Sequence, residues 1–294
     1  MALTTGGVKL ESTGELRDST RWLDDPEGLR ARFAEDGYLL MRGLLDREKV
    51  QAARRSVTEQ LTAEEVFAEG TDPHELIAKP GLELAFRPDL ANGNRAVNEL
   101  LYSSRVMEFF GALFDEPAMH YDYTWLRAMG PGRHTLPHYD NIYMGRGSCR
   151  VTTLWSPLVP IEPEIGGLIV LENSHRWREM IDTYGQVDVD AVCENKPGVA
   201  QWQDQGLAGF GGLPDDPNDL AARLGSRWLT AEFEPGDALL FGMFTLHGSS
   251  DNHSPRIRLS TDSRYQPASE PADERWVGEN PIGHGPNAHR QMIC

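Results

Sequence analysis

Short β-type runs separated by glycine and proline fill most of the chain from residue 118 to residue 270. They include "MHYDYTWLRAM", "SCRVTTLWSPLVPI", "GGLIVLENSH", "SRWLTAEFEPGDALLFGMFTLHGSS" and "IRLSTDSRYQP". Runs of this length, bounded by turn residues, are typical of an antiparallel sandwich or barrel and disfavour alternating βαβ units. The sequence therefore predicts a mainly β core.

The residues before this core carry helical patterns. "DPEGLRARFAEDG" (25–37) has an Asp-Pro start and a glycine stop, and "DREKVQAARRSVTEQLT" (46–62) begins with an aspartate suited to an N-cap. A short apolar strand, "YLLMRGLL", lies between them, and "RAVNELLYSSRVMEFFGALFDEP" (95–117) has apolar residues at helical intervals. We expect residues 1–117 to form mostly helical support for the sheet.

The domain organisation predicted from the sequence is a single domain over residues 1–294. No low-complexity linker divides the chain, and 294 residues with 39% hydrophobic content suffice for one large core. Residues 177–226 interrupt the β series and predict an insertion that closes over the site as a lid, with a plain surface loop as the alternative. Residues 271–294 form the predicted C-terminal tail.

Composition restricts the classes of partner. The formal net charge of −17 disfavours nucleic acid, whose phosphates would be repelled. It is compatible with a cationic small substrate, although a solubilising surface is the simpler explanation. The sequence shows no secretory signal and no stretch of about 18 apolar residues, so we expect a soluble cytoplasmic protein without a membrane partner. Nothing in the sequence indicates the oligomeric state.

Cysteine usage gives no sign of a disulfide framework. The chain contains three cysteines, Cys149, Cys193 and Cys294. Their odd number and wide spacing argue against structural disulfides and against a zinc ribbon.

The stretch "TLPHYDNIYMG" (135–145) places a histidine and an aspartate two residues apart, His138 and Asp140. In a strand such residues project from one face about 6.5–7 Å apart, so both could reach one point in front of the sheet. A His-x-Asp pair is common by chance. Taken alone, the pair favours an ordinary strand over a metal site.

A second spacing, His134 and His138 four residues apart, occurs in zinc sites built on one helical face. Pro131, Gly132 and Pro137 surround these histidines, and an interior proline removes a helical hydrogen bond and clashes with the preceding turn. The helical zinc site is therefore excluded on local grounds. We expect His134 to be a loop residue or a substrate contact.

A third candidate ligand lies more than a hundred residues downstream, in "PGDALLFGMFTLHGSSDNHSPRIRLSTDSRYQ". His247 ends an apolar run, and Arg258 follows eleven residues later. A 2-His-1-carboxylate face on iron(II) leaves three positions open for a cosubstrate and oxygen. A guanidinium can hold the far carboxylate of a dicarboxylate cosubstrate through two hydrogen bonds. This set is far more specific than the His-x-Asp pair.

With these residues, the sequence resembles the phytanoyl-CoA dioxygenase-like (PhyH) iron(II)/2-oxoglutarate oxygenases. "FAEDGYLLMRGLLDREKV" is similar to the family's opening segment, "PHYD" to its His-x-Asp strand, and "GGLIVLENSHR" to its Gly-Gly and Ser-His turn. The long stretch from "PGDALL" to "DSRYQ" is similar to its closing half. The resemblance implies a double-stranded β-helix, a jelly-roll or cupin-like core with flanking helices and the metal at its open mouth.

The resemblance also implies roles for individual residues. The implied iron ligands, which are also the catalytic residues, are His138, Asp140 and His247. Arg258, helped by the Ser249 hydroxyl, would bind the distal carboxylate of 2-oxoglutarate. Trp155 and Arg127 fall on strands that flank the pocket in such proteins and could contact 2-oxoglutarate or substrate, although a core tryptophan and a surface-paired arginine fit equally well. The turn histidine, His175, is expected to be structural.

The implied reaction is hydroxylation of a small-molecule metabolite or natural-product intermediate, with release of succinate and CO2. Iron(II), 2-oxoglutarate and O2 are the implied cofactor and cosubstrates, with ascorbate as an activator in vitro. In relatives that halogenate, a small residue at the position of Asp140 leaves room for chloride, so its carboxylate favours hydroxylation. No basic patch for a coenzyme A phosphate is evident, which favours a small polar or cationic metabolite or a natural-product intermediate.

Two other functions stay open at this stage. One is a cupin-type metal enzyme that does not use 2-oxoglutarate, in which Arg258 would have no assigned role. The other is a non-catalytic β-sandwich that binds a ligand. A complete set of ligand residues counts against the second.

Overall fold

A computed structural model of the protein describes residues 2–193 and 211–285. The helices predicted over 25–37 and 46–62 are present, and Asp25 and Asp46 cap them by accepting hydrogen bonds from backbone N–H groups in the first turn. The elements before residue 118 are β1 (Thr4–Thr5), β2 (Val8–Lys9), β3 (Thr13–Glu15), α1 (Pro26–Asp36), β4 (Tyr38–Met41), α2 (Arg47–Ala63), α3 (Arg95–Leu101) and α4 (Ser104–Phe114). The predicted helical support therefore also contains four strands.

The prediction of a single helix over residues 95–117 is wrong. The chain leaves the helix at Tyr102 and is extended at Ser103, with φ −66° and ψ 155°, before α4 begins. The Tyr102 ring stacks on His120 at a centroid distance of 4.0 Å, and its hydroxyl hydrogen-bonds to Thr124. Tertiary packing of this one aromatic side chain thus divides a segment whose apolar spacing reads as continuous.

A large sheet and a smaller one form the β core. The large sheet has the order β4-β10-β7-β12-β5, with β6 also pairing with β12, and the smaller has the order β11-β8-β9-β3. Within the described ranges every pairing between named strands is antiparallel except β3 with β9. The strands after residue 117 are β5 (Ala118–His120), β6 (Trp125–Met129), β7 (Thr152–Pro157), β8 (Leu168–Leu171), β9 (Trp228–Thr230), β10 (Ala238–Gly242), β11 (His247–Ser249) and β12 (Arg258–Pro267).

Side chains from both sheets share one hydrophobic core. Trp155 and Leu239 of the large sheet belong to the same buried cluster as Leu168 and Leu229 of the smaller one. The sheets therefore pack against each other, as in a sandwich or barrel.

Short helices lie in the connections between strands of the β core. They are α5 (Asn141–Met144), α6 (Arg178–Asp182), α7 (Val189–Cys193) and α8 (Pro217–Leu224). Residues 194–210 of the predicted insertion and residues 286–294 of the predicted tail lie outside the described residues. In the part that is described, no helix has the length and apolar character needed to cross a membrane.

Gly37, which ends α1, fixes a contact with the turn histidine. Its φ is 76°, and a Cβ atom added there would lie 2.4 Å from the His175 ring. Gly43 has a similar φ of 62°, but a Cβ there would meet nothing within 4 Å. The partly buried His175 therefore packs against the end of α1.

This pair of glycines allows a matched stability test. Gly43→Ala should lower the free energy of unfolding by about 1–2 kcal/mol, the cost of a left-handed conformation for an L-residue. Gly37→Ala should lower it further, because the methyl group also displaces the His175 ring. Urea unfolding of the two variants measures the difference, and equal losses would show that the His175 contact contributes nothing.

Candidate metal centre

The three predicted iron ligands lie together in the structure. His138, Asp140 and His247 are all buried, and one ligand atom from each lies within 4.8 Å of the other two. Asp140 Oδ1 is 3.6 Å from His138 Nε2 and 3.8 Å from His247 Nε2. Two imidazole nitrogens and one carboxylate oxygen thus converge on a single point.

The backbone reaches this arrangement differently from the predicted strand. His138 pairs with His247 in an isolated antiparallel bridge, with N···O distances of 2.8 and 3.1 Å. Asp140 is not extended: its φ of −62° and ψ of −27° are helical, and its carbonyl accepts hydrogen bonds from Tyr143 and Met144. The prediction that His138 and Asp140 share one strand face is therefore wrong. A tight turn, and not a two-residue repeat, directs the carboxylate toward the imidazoles.

Backbone carbonyls orient both imidazole rings. His138 Nδ1 lies 2.8 Å from the Leu136 carbonyl, and His247 Nδ1 lies 2.9 Å from the Thr245 carbonyl. A carbonyl can only accept, so each Nδ1 carries the proton and each Nε2 keeps a lone pair for a metal. Burial, followed by the neighbouring His138, lowers the pKa of His247 to about 3. His247 therefore stays neutral, and able to ligate, throughout the physiological range.

The second oxygen of Asp140 is held by two side chains of the large sheet. Oδ2 accepts hydrogen bonds from Thr153 Oγ1 at 2.5 Å and from Arg264 Nη2 at 3.1 Å. These two residues face each other in the β7–β12 register. Burial alone would raise the pKa of the Asp140 carboxyl, but Arg264, and then the two imidazoles, lower it well below its usual range. The group is therefore ionised, with one oxygen free to bind a metal.

Sequence reasoning missed Arg264, although a signal was available. Alternate residues of a strand share one face, so Arg258, Ser260, Asp262 and Arg264 all point inward from β12. The Arg264 guanidinium also lies over the Trp125 ring, 4.0 Å from its centroid. Of these four residues, only Arg258 was predicted from the sequence to lie at the site.

A cavity of about 390 Å³ opens at the metal centre. Its wall is largely aromatic, aliphatic and thioether, with arginines as the cationic groups, and comprises Ala85, Phe86, Trp125, Arg127, Met129, His134, Thr135, Leu136, His138, Asp140, Tyr143, Met144, Gly212 and Arg264. His134 is a loop residue whose Nδ1 lies 3.2 Å from Asp251. Two guanidinium groups in the wall repel cations, which disfavours the cationic metabolite that the sequence left open beside a polar metabolite and a natural-product intermediate.

The predicted 2-oxoglutarate residues lie deeper in the fold. Arg258 is buried, and its Nη1 donates to the Gly166 carbonyl at 2.5 Å. Burial, and then the nearby Arg127, lower the pKa of Arg258 to about 10, so it stays cationic at neutral pH. Ser249, also buried, accepts a hydrogen bond from the Thr135 amide at 2.8 Å. Arg258 is thus a cationic side chain that is shielded from solvent.

The remaining two predicted site residues differ in position. Trp155 is buried against Phe233, with 4.8 Å between ring centroids, and is not part of the cavity wall as described above. Arg127 lines the cavity, and its Nε donates to Asp262 Oδ2 at 3.0 Å. The structure therefore places Arg127 at the cavity and Trp155 in the core.

Comparison with known proteins assigns the chain to a family. The model for the phytanoyl-CoA dioxygenase (PhyH) family matches residues 33–260, well over half of the chain. The chain belongs to the phytanoyl-CoA dioxygenase family. Its relatives include a 1-deoxypentalenic acid 11-beta-hydroxylase of Streptomyces exfoliatus, 29% identical over 86% of this chain and 85% of the relative. The protein of the same description from Streptomyces arenae is 27% identical over 88% of this chain and 87% of its own length. The family membership and the hydroxylase descriptions of these relatives together support an oxygenase.

Several solved structures share the fold. EctD from S. alaskensis, in its apoform, has a TM-score of 0.59 at 18% identity and covers 98% of this chain and 95% of its own. The epimerase SnoN, solved with Fe3+, alpha ketoglutarate and nogalamycin RO, has a TM-score of 0.56 at 19% identity, covering 89% and 94%. These likenesses confirm the predicted fold, a mainly β, double-stranded β-helix core with flanking helices.

Proposed function

We propose that this chain is an iron(II)- and 2-oxoglutarate-dependent dioxygenase that hydroxylates a small molecule. The observation that carries the proposal is the convergence of His138, Asp140 and His247 at the cavity, each buried and each with a ligand atom within 4.8 Å of the others. Residues 1–294 would form one oxygenase domain, with its β core over 118–270.

The donor set fits iron(II). Two neutral imidazoles and one carboxylate form the facial triad of non-haem iron oxygenases, which leaves positions open for a cosubstrate and oxygen. Thr153 and Arg264 occupy the second oxygen of Asp140 at 2.5 and 3.1 Å. These hydrogen bonds favour a carboxylate that would ligate iron through its other oxygen alone. A single bond from Asp140 would leave more coordination positions for the cosubstrate and oxygen.

Several buried polar atoms on the inner face of the large sheet lack a hydrogen-bond partner, as expected if 2-oxoglutarate binds there. Arg258 Nε, Trp155 Nε1 and Ser260 Oγ are buried without a hydrogen-bond partner among the described residues. Buried polar groups in this state are costly unless a ligand or water completes them. A dicarboxylate whose distal end meets Arg258 would supply the missing acceptors, since a guanidinium pairs with a carboxylate through two hydrogen bonds.

The proposed reaction inserts one oxygen atom of O2 into a C–H bond. The substrate, 2-oxoglutarate and O2 become the hydroxylated substrate, succinate and CO2, and the bound iron supplies the oxygen activation. The apolar wall would exclude water from the reacting carbon, while the two imidazoles and the carboxylate would hold the iron beside the cavity. Ascorbate would keep the iron reduced in vitro.

The relatives support hydroxylation as the outcome. Two of them are described as 11-beta-hydroxylases of 1-deoxypentalenic acid. Asp140 also retains the carboxylate whose absence would make room for chloride. A natural-product intermediate with an extended apolar framework fits the aromatic and thioether wall better than a small polar metabolite does.

Anaerobic calorimetry separates this proposal from its rivals. Iron(II) should bind the metal-free protein, and 2-oxoglutarate should bind only after iron is loaded. A metal enzyme that does not use 2-oxoglutarate would bind iron alone, and a non-catalytic β-sandwich would bind neither. Iron binding without 2-oxoglutarate binding would therefore remove the proposed function.

Arg264 is expected to position Asp140 for metal binding. Losing the partner of a metal ligand typically weakens metal binding about 10–100-fold, so Arg264→Met should reduce iron affinity by that factor. Arg264→Lys should restore part of it, because it keeps a donor and a positive charge. Competition with a chromogenic chelator measures the affinities, and wild-type affinity in the methionine variant would contradict the role.

A further inference from the structure

One buried arginine joins the C-terminal segment to two other parts of the chain. Arg275 lies in a single helical turn, Glu274–Trp276, and is buried. Its guanidinium pairs with Asp273, directly before that turn, and with Asp190 of α7. Its Nη2 also donates to the Tyr143 carbonyl of α5 at 2.8 Å. Because a planar guanidinium has several donors in a fixed geometry, Arg275 can hold these three acceptors in one arrangement.

Helix α5 forms part of the cavity wall next to the metal centre. Tyr143 and Met144 line the cavity, and their amides donate to the Asp140 carbonyl at 3.0 and 3.2 Å. This helix is a single turn of four residues, too short to be stable on its own. Its position must therefore come from contacts with the rest of the fold. Arg275 supplies one such contact, at the Tyr143 carbonyl.

The ion pair between Arg275 and Asp190 is buried on both sides. Asp190 also accepts a hydrogen bond from the Gly285 amide at 3.0 Å and lies 3.1 Å from His284 Nδ1. Burial alone would raise the pKa of this carboxyl, but His284, the Gly285 amide and Arg275 lower it well below its usual range. The carboxylate is therefore ionised at neutral pH, and the pair holds α7 against the C-terminal segment.

The candidate metal ligands are held by groups other than Arg275. Thr153 and Arg264 bind the Asp140 carboxylate, and the backbone carbonyl two residues before each ligand histidine orients its imidazole ring. None of these contacts passes through the C-terminal segment. Loss of the Arg275 side chain should therefore leave the ligands in place and release the far end of α5.

We propose that Arg275 is a positioning residue that sets the place of Tyr143 and Met144 in the cavity wall and thereby the fit of the substrate, an inference that rests on the proposed oxygenase function. Arg275 acts through these two side chains, because it lies behind the wall described above and not in it. The C-terminal segment would thus help to determine which molecules the cavity accepts, while the metal ligands determine the reaction.

Binding of an uncharged apolar probe, 1-adamantanemethanol, tests the fit of the wall. Its rigid cage cannot adapt to a displaced wall, and its affinity is measured by calorimetry under nitrogen on protein loaded with iron(II) and 2-oxoglutarate. Arg275→Met should weaken probe binding at least about tenfold, the loss expected when about two methylene groups of wall contact are removed. Iron(II) and 2-oxoglutarate should bind within about threefold of their wild-type affinities, since the partners of the metal ligands are kept. Arg275→Lys should retain part of the probe affinity, because it keeps a donor and the charge.

A matched control separates positioning from general destabilisation. Arg32 is a buried arginine of α1 whose Nη1 pairs with Asp36 at 3.2 Å, and it does not line the cavity described above. Arg32→Met therefore also removes a buried ion pair, but it should leave probe binding within about twofold. Thermal unfolding of both variants compares their losses of stability.

Hydrogen exchange of the metal-free protein gives a second measurement that does not depend on iron. The Tyr143 and Met144 amides are protected by their hydrogen bonds to the Asp140 carbonyl. They should exchange at least about tenfold faster in Arg275→Met, because local opening of α5 becomes easier, and at the wild-type rate in Arg32→Met.

Each result bears on the role of Arg275. Unchanged probe affinity or exchange in Arg275→Met, equal losses in Arg32→Met, or no wild-type binding of the probe would overturn it. A parallel loss of iron affinity would also overturn it and assign Arg275 a general role in holding the metal centre. If Arg275→Met does not fold, the comparison of Arg275→Lys with Arg32→Lys decides the same questions. If the wild type binds the probe but not 2-oxoglutarate, the proposed oxygenase fails, and probe binding and exchange in metal-free protein still decide the role of Arg275.

Discussion

Asp140→Ala is expected to abolish iron-dependent conversion of 2-oxoglutarate to succinate. The substitution removes one of three ligands and leaves two histidines, which no longer define a closed face for the metal. It also removes the acceptor for Thr153 and Arg264, which bind Asp140 Oδ2 in the native protein. We expect iron content after anaerobic loading to fall together with succinate release, measured by chromatography.

The fold must be checked in the same experiment. Removing a buried carboxylate leaves the Arg264 guanidinium uncompensated, which typically costs about 3–5 kcal/mol. Asp140→Asn keeps the shape and one hydrogen-bond acceptor, and should fold better while still losing the charged ligand. Asp182→Ala, on an exposed position of α6, is the control. Wild-type succinate release from the alanine variant would show that Asp140 is not a ligand.

Arg258→Ala is expected to raise the 2-oxoglutarate concentration needed for half-maximal turnover. A hydrogen bond to a charged group is worth about 1.5–3 kcal/mol, so the requirement should rise by about 10–150-fold. The maximal rate at saturating 2-oxoglutarate should fall less, since the proposed contact of Arg258 is with the far end of the cosubstrate and not with the iron ligands. Succinate release as a function of 2-oxoglutarate concentration measures both quantities.

Arg256→Ala provides the matched control for this variant. Arg256 lies two residues earlier, and its Nη2 pairs with Glu162 at 3.1 Å in a partly exposed position. Its loss should leave the 2-oxoglutarate requirement unchanged. An unchanged requirement in Arg258→Ala, or an equal rise in both variants, would remove Arg258 from the cosubstrate site.

Local signals predicted the elements whose ends are defined by the chain itself. The helix from Pro26 to Asp36 has an aspartate before it and a left-handed glycine after it, and both boundaries were readable. The break at Tyr102 was not readable, because it depends on a ring that stacks on His120, outside the segment. Tertiary contacts of this kind override apolar spacing.

The sequence pointed to the three residues of the candidate metal centre but not to their geometry. The spacing of His138 and Asp140 indicated a strand, whereas the helical turn at Asp140 directs its carboxylate. Arg264 was missed because a buried ion pair leaves no local mark, although its alternation with Arg258 along β12 placed both on one face. The resemblance to a known family supplied the ligand set. The structure adds Thr153 and Arg264, whose hydrogen bonds hold the Asp140 carboxylate in place.

The most direct test of the central claim is decarboxylation of 2-oxoglutarate labelled at its C1 carboxylate. Wild-type protein with iron(II), ascorbate and O2 should release labelled CO2 in multiple turnovers, and a chelator should stop the release. The signal should increase when a substrate that fills the cavity is added. Release that is absent in the iron-loaded wild type, or that persists unchanged without iron, would contradict the account.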